Sequence, residues 1–462
     1  MNSVLDLFEI DKILVNSSKI SFGDSKLNPS FYSSNQYFIN SLETKPLKEL
    51  CLDIFNPPVF KREFVSDSDE CRYLASGEIT SLEPEITYIT KDQAEELNLK
   101  VKRNWILVTG FGTIGNIRIV DESIKNFAVA NNVARIISKN ENIGFIAAFL
   151  SSGFGNKLLN DYAAGAVVKY IEAPQISQLP IPVLSEEVVS KTNELYLNAV
   201  SCRETAHQKL TQARHLVLEY NNLPPLDEVQ PETLDPDKET DLRLVSTEEF
   251  TSDYRLDAHF YNPMAELAVR NIRKLASDFD SLSNVSNKVF YLNRFKRTFV
   301  NEKHGIPYLA GKDIIKIRPN DISYLSESET SNLGDYRLEK EWILLTCSGT
   351  IGRTCYIWKN YEDWVGTHDL IRIVSSEKMD SGYLFAFLSC DYGYHQILRH
   401  KHGAVIDHIT PEQIEEILVP IPEKEKMKEI GELVRQAYDL RAEAIRLEDE
   451  AQEILTESLT GK

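Results

Sequence analysis

Two stretches of the chain carry apolar residues at a seven-residue period. Leu433, Ala437, Leu440, Ala444, Leu447, Ala451 and Ile454 step alternately by four and three, as do Leu195, Ala199, Cys202, Ala206, Lys209, Ala213 and Leu216. Such a heptad seam predicts long helices over 184–222 and 423–462, broken only at Lys209, which Leu210 covers. Alanine holds the same phase in both, at 199, 206 and 213 and at 437, 444 and 451. Small residues alternating with larger ones let two helices approach closely, so the most economical partner of each helix is the other. An antiparallel pair of ~35 residues makes a rod of ~52 Å with a globular domain at each end. The competing arrangement packs each helix on its own globular domain.

Elsewhere the apolar runs are short. Ile106-Leu107-Val108 leads into Gly110-x-Gly112-x-x-Gly115, the letters of a dinucleotide-binding loop. The stretch WILVTGFGTIG at 105–115 recurs, however, as WILLTCSGTIG at 342–352, with Cys347 in place of the first glycine. A strand-like run follows each loop, Ile117–Val120 and Cys355–Trp358, where the fingerprint needs a helix. Each Gly-Thr-Ile-Gly is therefore predicted to be a tight turn between two strands, its glycines at positive φ. A sharper reading adds that the turn's threonine and amides also meet a ligand.

The recurrence extends along the chain. Lys61-Arg62-x-Phe64-Val65 recurs as Lys296-Arg297-x-Phe299-Val300, and Tyr73-Leu74-Ala75 as Tyr308-Leu309-Ala310. Arg135 and Arg372 precede matching isoleucines; Gly165-Ala166-Val167 returns as Gly403-Ala404-Val405 and Pro180-Ile181-Pro182 as Pro420-Ile421-Pro422. Asp24-x6-Phe31-Tyr32 matches Asp253-x6-Phe260-Tyr261, and the offset drifts only from 235 to 240 along most of the chain. The fold class is thus α/β (α+β): two similar mixed α/β domains, each followed by a long α-helix, the helices pairing as an antiparallel coiled coil in a pseudo-two-fold repeat. The boundaries read 1–183 and 253–422 for the domains, 184–222 and 423–462 for the helices, and 223–252 for an acidic, proline-rich exposed connector.

Charge changes the picture less than its total suggests. Of the net −19, residues 219–253 supply −9 and residues 423–462 supply −4, so the rest is only mildly acidic. Local charge decides which surface meets a polyanion. No apolar run reaches the ~20 residues of a membrane helix. The N-terminus lacks the pattern of a signal peptide, and the six cysteines form no CxxC, so a reducing cytoplasm is expected. His395, His400, His402 and His408 lack a ligand-like spacing, so no metal is expected.

The duplicated order of these motifs resembles the specificity (S) subunit of type I restriction-modification systems, as does the lead-in Tyr254-Arg255-Leu256-Asp257-Ala258-His259-Phe260-Tyr261-Asn262-Pro263. The resemblance covers roughly residues 24–460. It implies two target recognition domains, each reading half of a split, asymmetric double-stranded DNA site, and spacer helices that set the gap and dock two methyltransferase subunits. Those subunits bind S-adenosylmethionine and methylate adenine; restriction (motor-nuclease) subunits can join them. The chain itself then needs no cofactor and has no catalytic residue. Consistently, it lacks an Asn-Pro-Pro-Tyr or Asp-Pro-Pro-Tyr segment: Asn56-Pro57-Pro58-Val59 displaces the aromatic to Phe60. Two rivals remain: an acidic decoy that occupies a DNA-binding partner, and an enzyme with a nucleotide-type cofactor.

Phosphates are met by Lys, Arg, polar side chains and amides, and base edges by Arg, Lys, Asn, Gln, Ser and Thr. The candidates are Lys61 and Arg62, repeated as Lys296 and Arg297; Thr113 and Asn116 beside one glycine turn, and Ser348, Thr350 and Arg353 beside the other; Asn131 and His368 at matching loop tips; Lys157 and Lys169 in the first copy; and Arg399, Lys401 and His402 in the most basic cluster of the second.

Overall fold

The computed structural model describes residues 42–65, 70–139, 141–165, 167–226, 255, 257, 259–319, 322–330 and 333–461. Asp24, Phe31, Tyr32, the connector from 227 to 252, Asp253, Tyr254, Leu256 and Ala258 lie outside the described residues. The chain divides into two compact units, residues 1–204 with 443–462, and residues 205–442. The division cuts through both long helices, so each unit owns a part of each.

In the first unit the strands are β1 (Thr44–Pro46), β2 (Cys51–Phe55), β3 (Phe64–Val65), β4 (Cys71–Leu74), β5 (Thr87–Ile89), β6 (Ile106–Thr109), β7 (Ile117–Ile119), β8 (Ala128–Val129), β9 (Val133–Ser138) and β10 (Pro180–Pro182). They form a four-stranded sheet β2-β9-β6-β7, a four-stranded sheet β3-β5-β4-β8 and the pair β1-β10. All pairings are antiparallel except β4 with β8. The helices are α1 (Lys91–Glu96), α2 (Ile143–Ser151), α3 (Gly153–Tyr162), α4 (Ala173–Ile176) and α5 (Glu186–Tyr220).

The second unit repeats this plan with α6 (Pro263–Leu275), β11 (Phe279–Ser281), α7 (Leu282–Val285), β12 (Ser286–Phe290), β13 (Phe299–Val300), β14 (Gly305–Leu309), β15 (Ser323–Ser326), β16 (Ile343–Thr346), β17 (Thr354–Tyr356), β18 (Val365–Gly366), β19 (Leu370–Ser375), α8 (Ser381–Leu388), α9 (Asp391–Arg399), α10 (Pro411–Glu415), β20 (Leu418–Pro420) and α11 (Lys424–Thr460). Its sheets are β12-β19-β16-β17, β13-β15-β14-β18 and β11-β20. β14 pairs with β18 in parallel, as β4 does with β8.

The apolar run in β6 is continuous because both of its faces are covered. Ile106 and Val108 pack with the helical side, Phe149 and Leu159 among it, while Leu107 faces the core of the second sheet with Tyr73 and Val129. A strand buried on both faces loses the usual alternation. The Gly-Thr-Ile-Gly segments are the hairpin turns predicted: Gly112 and Gly349 sit at φ +72° and +74°. Nothing lies within 4 Å of a Cβ built at either, so backbone conformation, not space, requires glycine there.

The long helices run over Glu186–Tyr220 and Lys424–Thr460, inside the predicted bounds. In the first unit Leu195, Ala199, Ala444, Leu447 and Ala451 make one buried cluster. In the second unit Ala206, Leu210, Ala213 and Val217 are buried with Ile430, Val434 and Ala437, and Leu433 and Leu440 pack half-buried against them. Lys209 Nζ donates to Gln436 Oε1 (2.8 Å) and Tyr220 OH to Glu429 Oε2 (2.8 Å), so partners descend on α11 as residues climb on α5. The helices are antiparallel. The covered stripe on α11 is wider than a two-position seam: Ile454 packs half-buried against the helix-pair cluster, while Tyr438 and Leu455 are buried beside the seam against the globular parts.

Each helix also lies on a globular part, so the two arrangements weighed from the sequence coexist. In the first unit Asn193 Oδ1 accepts from the amides of Gly144 (2.8 Å) and Phe145 (3.3 Å), satisfying the start of α2. At the equivalent junction of the second unit Asp380 Oδ1 accepts from Gly382 (2.9 Å) and Tyr383 (3.1 Å). Gly431 makes room for it, since a Cβ there would stand 1.8 Å from Asp380 Oδ1. The connector differs from its reading at its start. Leu223 and Leu226 are buried in the second unit and Tyr392 OH donates to the Pro224 carbonyl (2.8 Å), because two leucines flanking a proline pair can be inserted where acids cannot.

Candidate nucleic-acid interface

In each unit, loops distant in sequence are tied edge to edge by backbone. In the first, the Gly110 amide donates to the Asn132 carbonyl (3.0 Å), joining the glycine turn to the β8–β9 loop. The Ile171 amide donates to Gly110 (2.8 Å), and Phe111 bridges Tyr170, bringing in the loop after α3. That loop closes on itself through Ala164 and Tyr170 (2.7 and 2.9 Å). Asn56 clasps the segment after β2 to the rest: Nδ2 donates to the Asn131 carbonyl (3.0 Å) and Oδ1 accepts from the Ala173 amide (2.9 Å). Asn56 thus has a structural role in the segment that falls short of a methyltransferase motif.

The second unit repeats the framework with other side chains. Ile409 donates to Cys347 (3.1 Å), Gly349 to Asp407 (3.0 Å), and His402 and His408 close their loop (3.0 and 2.6 Å). Where Phe111 stacks on Tyr170, with ring centroids 5.4 Å apart, the second copy has Ser348 bridging His408. The hairpins are pinned from beneath by their threonines: Thr109 Oγ1 accepts from Asn116 N (3.0 Å) and Thr346 Oγ1 from Arg353 N (3.1 Å). Thr113 and Thr350 remain exposed at the tips; Asn116, Ser348 and Arg353 are half-buried at the bases.

The paired bases are built alike in both copies. Arg62 Nε donates to Tyr73 OH (2.7 Å) and Arg297 Nη1 to Tyr308 OH (2.9 Å), each guanidinium 5.8 Å from its tyrosine ring centre. Phe64 and Phe299, more than half exposed, meet the same tyrosines edge-on. Lys61 and Lys296 are exposed beside them. A cation and an aromatic displayed together suit a nucleic-acid surface. The phenylalanines were part of the duplicated Lys-Arg-x-Phe-Val motif, which was the signal for them.

The loop tips rest on buried arginines. Arg135 donates to the carbonyls of Ala130 (2.9 Å) and Val133. Arg372 donates to Leu370 (2.9 Å), Gly366 (3.0 Å) and Thr367 (3.2 Å). Both are fully buried, and burial pulls the guanidinium of Arg135 down to about 9 and that of Arg372 to about 10. Asn131 is half-buried on its tip. The His368 side chain is only 11% exposed, 3.2 Å from Asp369, with its ring 6.5 Å from Phe295. Burial lowers its pKa, against the pull of Asp369 and with the push of Arg297 and Arg294.

The basic cluster of the second copy is divided. Arg399 turns back over the Phe260 ring, 4.3 Å from its centre, and His400 is buried behind it. Arg255, held by Asp257 (2.7 Å), donates to the carbonyls of His400 (2.9 Å) and Lys401 (2.7 Å) and so caps α9; this is what Arg and Asp of the lead-in do here. Lys401 pairs with Asp407 (2.7 Å) and His402 is exposed on the loop side. In the first copy Lys157 faces buried Asp161 (3.4 Å), while Lys169 is exposed. Among the described residues no group of three His, Cys, Asp or Glu is placed to hold a metal ion, and no helix is long and apolar enough to cross a membrane.

His400 gives a pH signature. Burial, then the nearby charges of Arg399, Arg255 and His402, holds its pKa down to about 3. Between that value and 6.5 the unfolded chain binds a proton that the folded chain refuses, so stability is lost as pH falls through 6.5. The stability of wild type in urea should fall by about 1.4 kcal/mol more than that of His400→Phe for each pH unit below that point. Equal pH dependence of the two proteins would count against a buried neutral imidazole.

The family model for the type I restriction modification DNA specificity domain matches residues 39–187 and again 288–451. The chain belongs to the type I restriction-modification DNA specificity family. Its two matched segments coincide with the two copies of the loop framework. Solved structures similar to this specificity subunit include the type I restriction-modification S subunit from M. genitalium (14% identity, 95% of this chain and 96% of that one, TM-score 0.32) and the HsdS subunit from Thermoanaerobacter tengcongensis (15%, 91% and 96%, 0.28). A third is from work on complex assembly and conformational transition of the type I R-M system (14%, 90% and 97%, 0.28). No curated protein matches the chain.

Proposed function

We propose that this specificity subunit reads an asymmetric, two-part DNA site, one half with each framework, and performs no chemistry itself. The observation that carries this is the pairing of one backbone framework with two sets of side chains. Phe111 and Tyr170 stand where the second copy has Ser348 and His408, and exposed Val59 stands where it has Arg294. A framework kept for docking with side chains changed for reading is what two different half-sites demand. Lys61, Arg62, Lys169, Lys296, Arg297, Lys401 and His402 supply the phosphate side; Thr113, Asn116, Asn131, Ser348, Thr350, Arg353 and His368 border the reading loops. Arg399 and Lys157, turned toward Phe260 and Asp161, act through position more than through contact.

The helix pair offers its outer face to two methyltransferase subunits, which supply S-adenosylmethionine and adenine methylation in the cytoplasm; restriction subunits extend the same assembly. The concentration of acid in the connector and in α11, outside the sequence segments of the candidate contacts, weighs against a decoy that mimics DNA.

Mapping methylated adenines genome-wide, with and without the gene, tests the reading. Deletion is expected to erase one asymmetric motif made of two half-sites at a fixed gap. An unchanged methylome overturns it, and binding to a DNA-binding partner in competition with DNA would then favour the decoy.

A further inference from the structure

The loop after α3 and its counterpart after α9 each end in a bare aliphatic tip. Val167 is 96% and Val168 63% exposed; Val405 is 96% and Ile406 54% exposed. Two adjoining aliphatic side chains left in water at the same register of two diverged copies are not the usual scatter of single exposed residues. The two loops are closed in the same way at their bases. Each loop is closed by a reciprocal pair of backbone hydrogen bonds, Ala164 with Tyr170 and His402 with His408. Gly165 and Gly403 turn at φ +91° and +126°, and a Cβ at either would stand 2.1–2.2 Å from a carbonyl oxygen across the loop. The exposed pairs thus sit at the ends of closed loops, unlike a flat face or groove.

We propose that Val167 and Val405 are apolar base contacts, one for each reader domain, that enter a DNA groove and pack on base pairs of the half-site. The proposal rests on the DNA-reading function above. Three observations choose DNA as the occupant. The tips adjoin the glycine turns through Phe111–Tyr170 and Ser348–His408, so they belong to the same face as the candidate contacts. Their flanks are cationic or titratable: Lys169 in one copy, Lys401, His402 and His408 in the other, with the acid Asp407 already paired to Lys401. Finally, the tips stay aliphatic in both copies while neighbours that differ between half-sites diverge. They therefore serve a part of the task common to both halves. An aliphatic side chain meets DNA bases in two ways, against the thymine methyl or as a wedge at a base step.

The test uses the full chain assembled with its methyltransferase subunits, on a duplex carrying the motif found by methylation mapping and on a scrambled duplex. Val167→Ser and Val405→Ser should each bind the motif duplex roughly tenfold more weakly, the loss expected when an aliphatic contact is removed. Affinity for the scrambled duplex, the salt dependence and the melting temperature should stay at wild-type values, because no phosphate contact and no core residue is touched. Replacing thymine by uracil separates the two modes: a loss for wild type that the serine variants do not share marks a methyl contact. A wild-type-only rise of 2-aminopurine fluorescence marks a wedge. Serine variants that equal wild type on the motif, or lose affinity equally on both duplexes, overturn the proposal, as does a loss of methyltransferase capture with DNA discrimination intact. A wild-type assembly that prefers no duplex at all overturns the reading of the function, and the proposal with it.

Discussion

Replacing Arg372 with methionine is expected to destabilise the second unit by about 3 kcal/mol or more, since three buried carbonyls lose a charged donor. Among the described residues no carboxylate pairs with this side chain; its hydrogen-bond partners are the carbonyls of Leu370, Gly366 and Thr367, in and beside the loop that carries His368. The guanidinium fork acts as a template for that loop. Arg372→Lys should not rescue, because an ammonium is a point donor that cannot span three carbonyls in a plane. Thermal unfolding measures the cost, and methylation mapping of a partly folded variant should show relaxed reading in one half of the motif only. A melting temperature within a degree of wild type would remove the template role.

The second large effect is expected between the long helices. Arg203 Nη1 meets Glu448 Oε1 at 2.6 Å, with the two side chains 10% and 7% exposed. Arg203→Leu should cost about 3–5 kcal/mol, because it takes a close cationic partner from a buried carboxylate. The double variant Arg203→Leu/Glu448→Leu should recover most of that loss, since the seam around it is already built of Leu195, Ala199, Ala444, Leu447 and Ala451. A double variant as unstable as the single one would mean that the ion pair, not burial, holds this part of the seam.

What could be read from the sequence follows from the range of the forces. The heptad in α5 and α11 and the hairpins at Gly112 and Gly349 are local, and period and turn chemistry display them. Strands of two residues such as β3, β8, β13 and β18 have no period to display, and the parallel match of β4 with β8 depends on chain more than fifty residues away. The seam on α11 was read too narrow because the helix faces a partner helix and a sheet domain at once, so Tyr438 and Val434 are covered beside Leu433 and Leu440. At the interface, duplication revealed Lys61, Arg62 and Phe64 with their counterparts. Adjacency misled at Arg399-His400-Lys401-His402, where the end of α9 sends the first two side chains inward and the next two toward the loop. A run of cations in sequence is not a patch until the backbone has turned.

The two units also differ in how the ribosome delivers them. Residues 205–442 are uninterrupted, so the second unit has every part it needs while the chain is still being made. The first is discontinuous: Leu455 and Leu459, buried with Phe149 and Tyr196, come from the last helical turns. Its strands are all made by Pro182, but its core and the seam of α5 lack the cover of α11 until translation has passed through the whole second unit. The order of completion is therefore the reverse of the order of synthesis. A chain released at residue 442 would carry one finished reader and one left open.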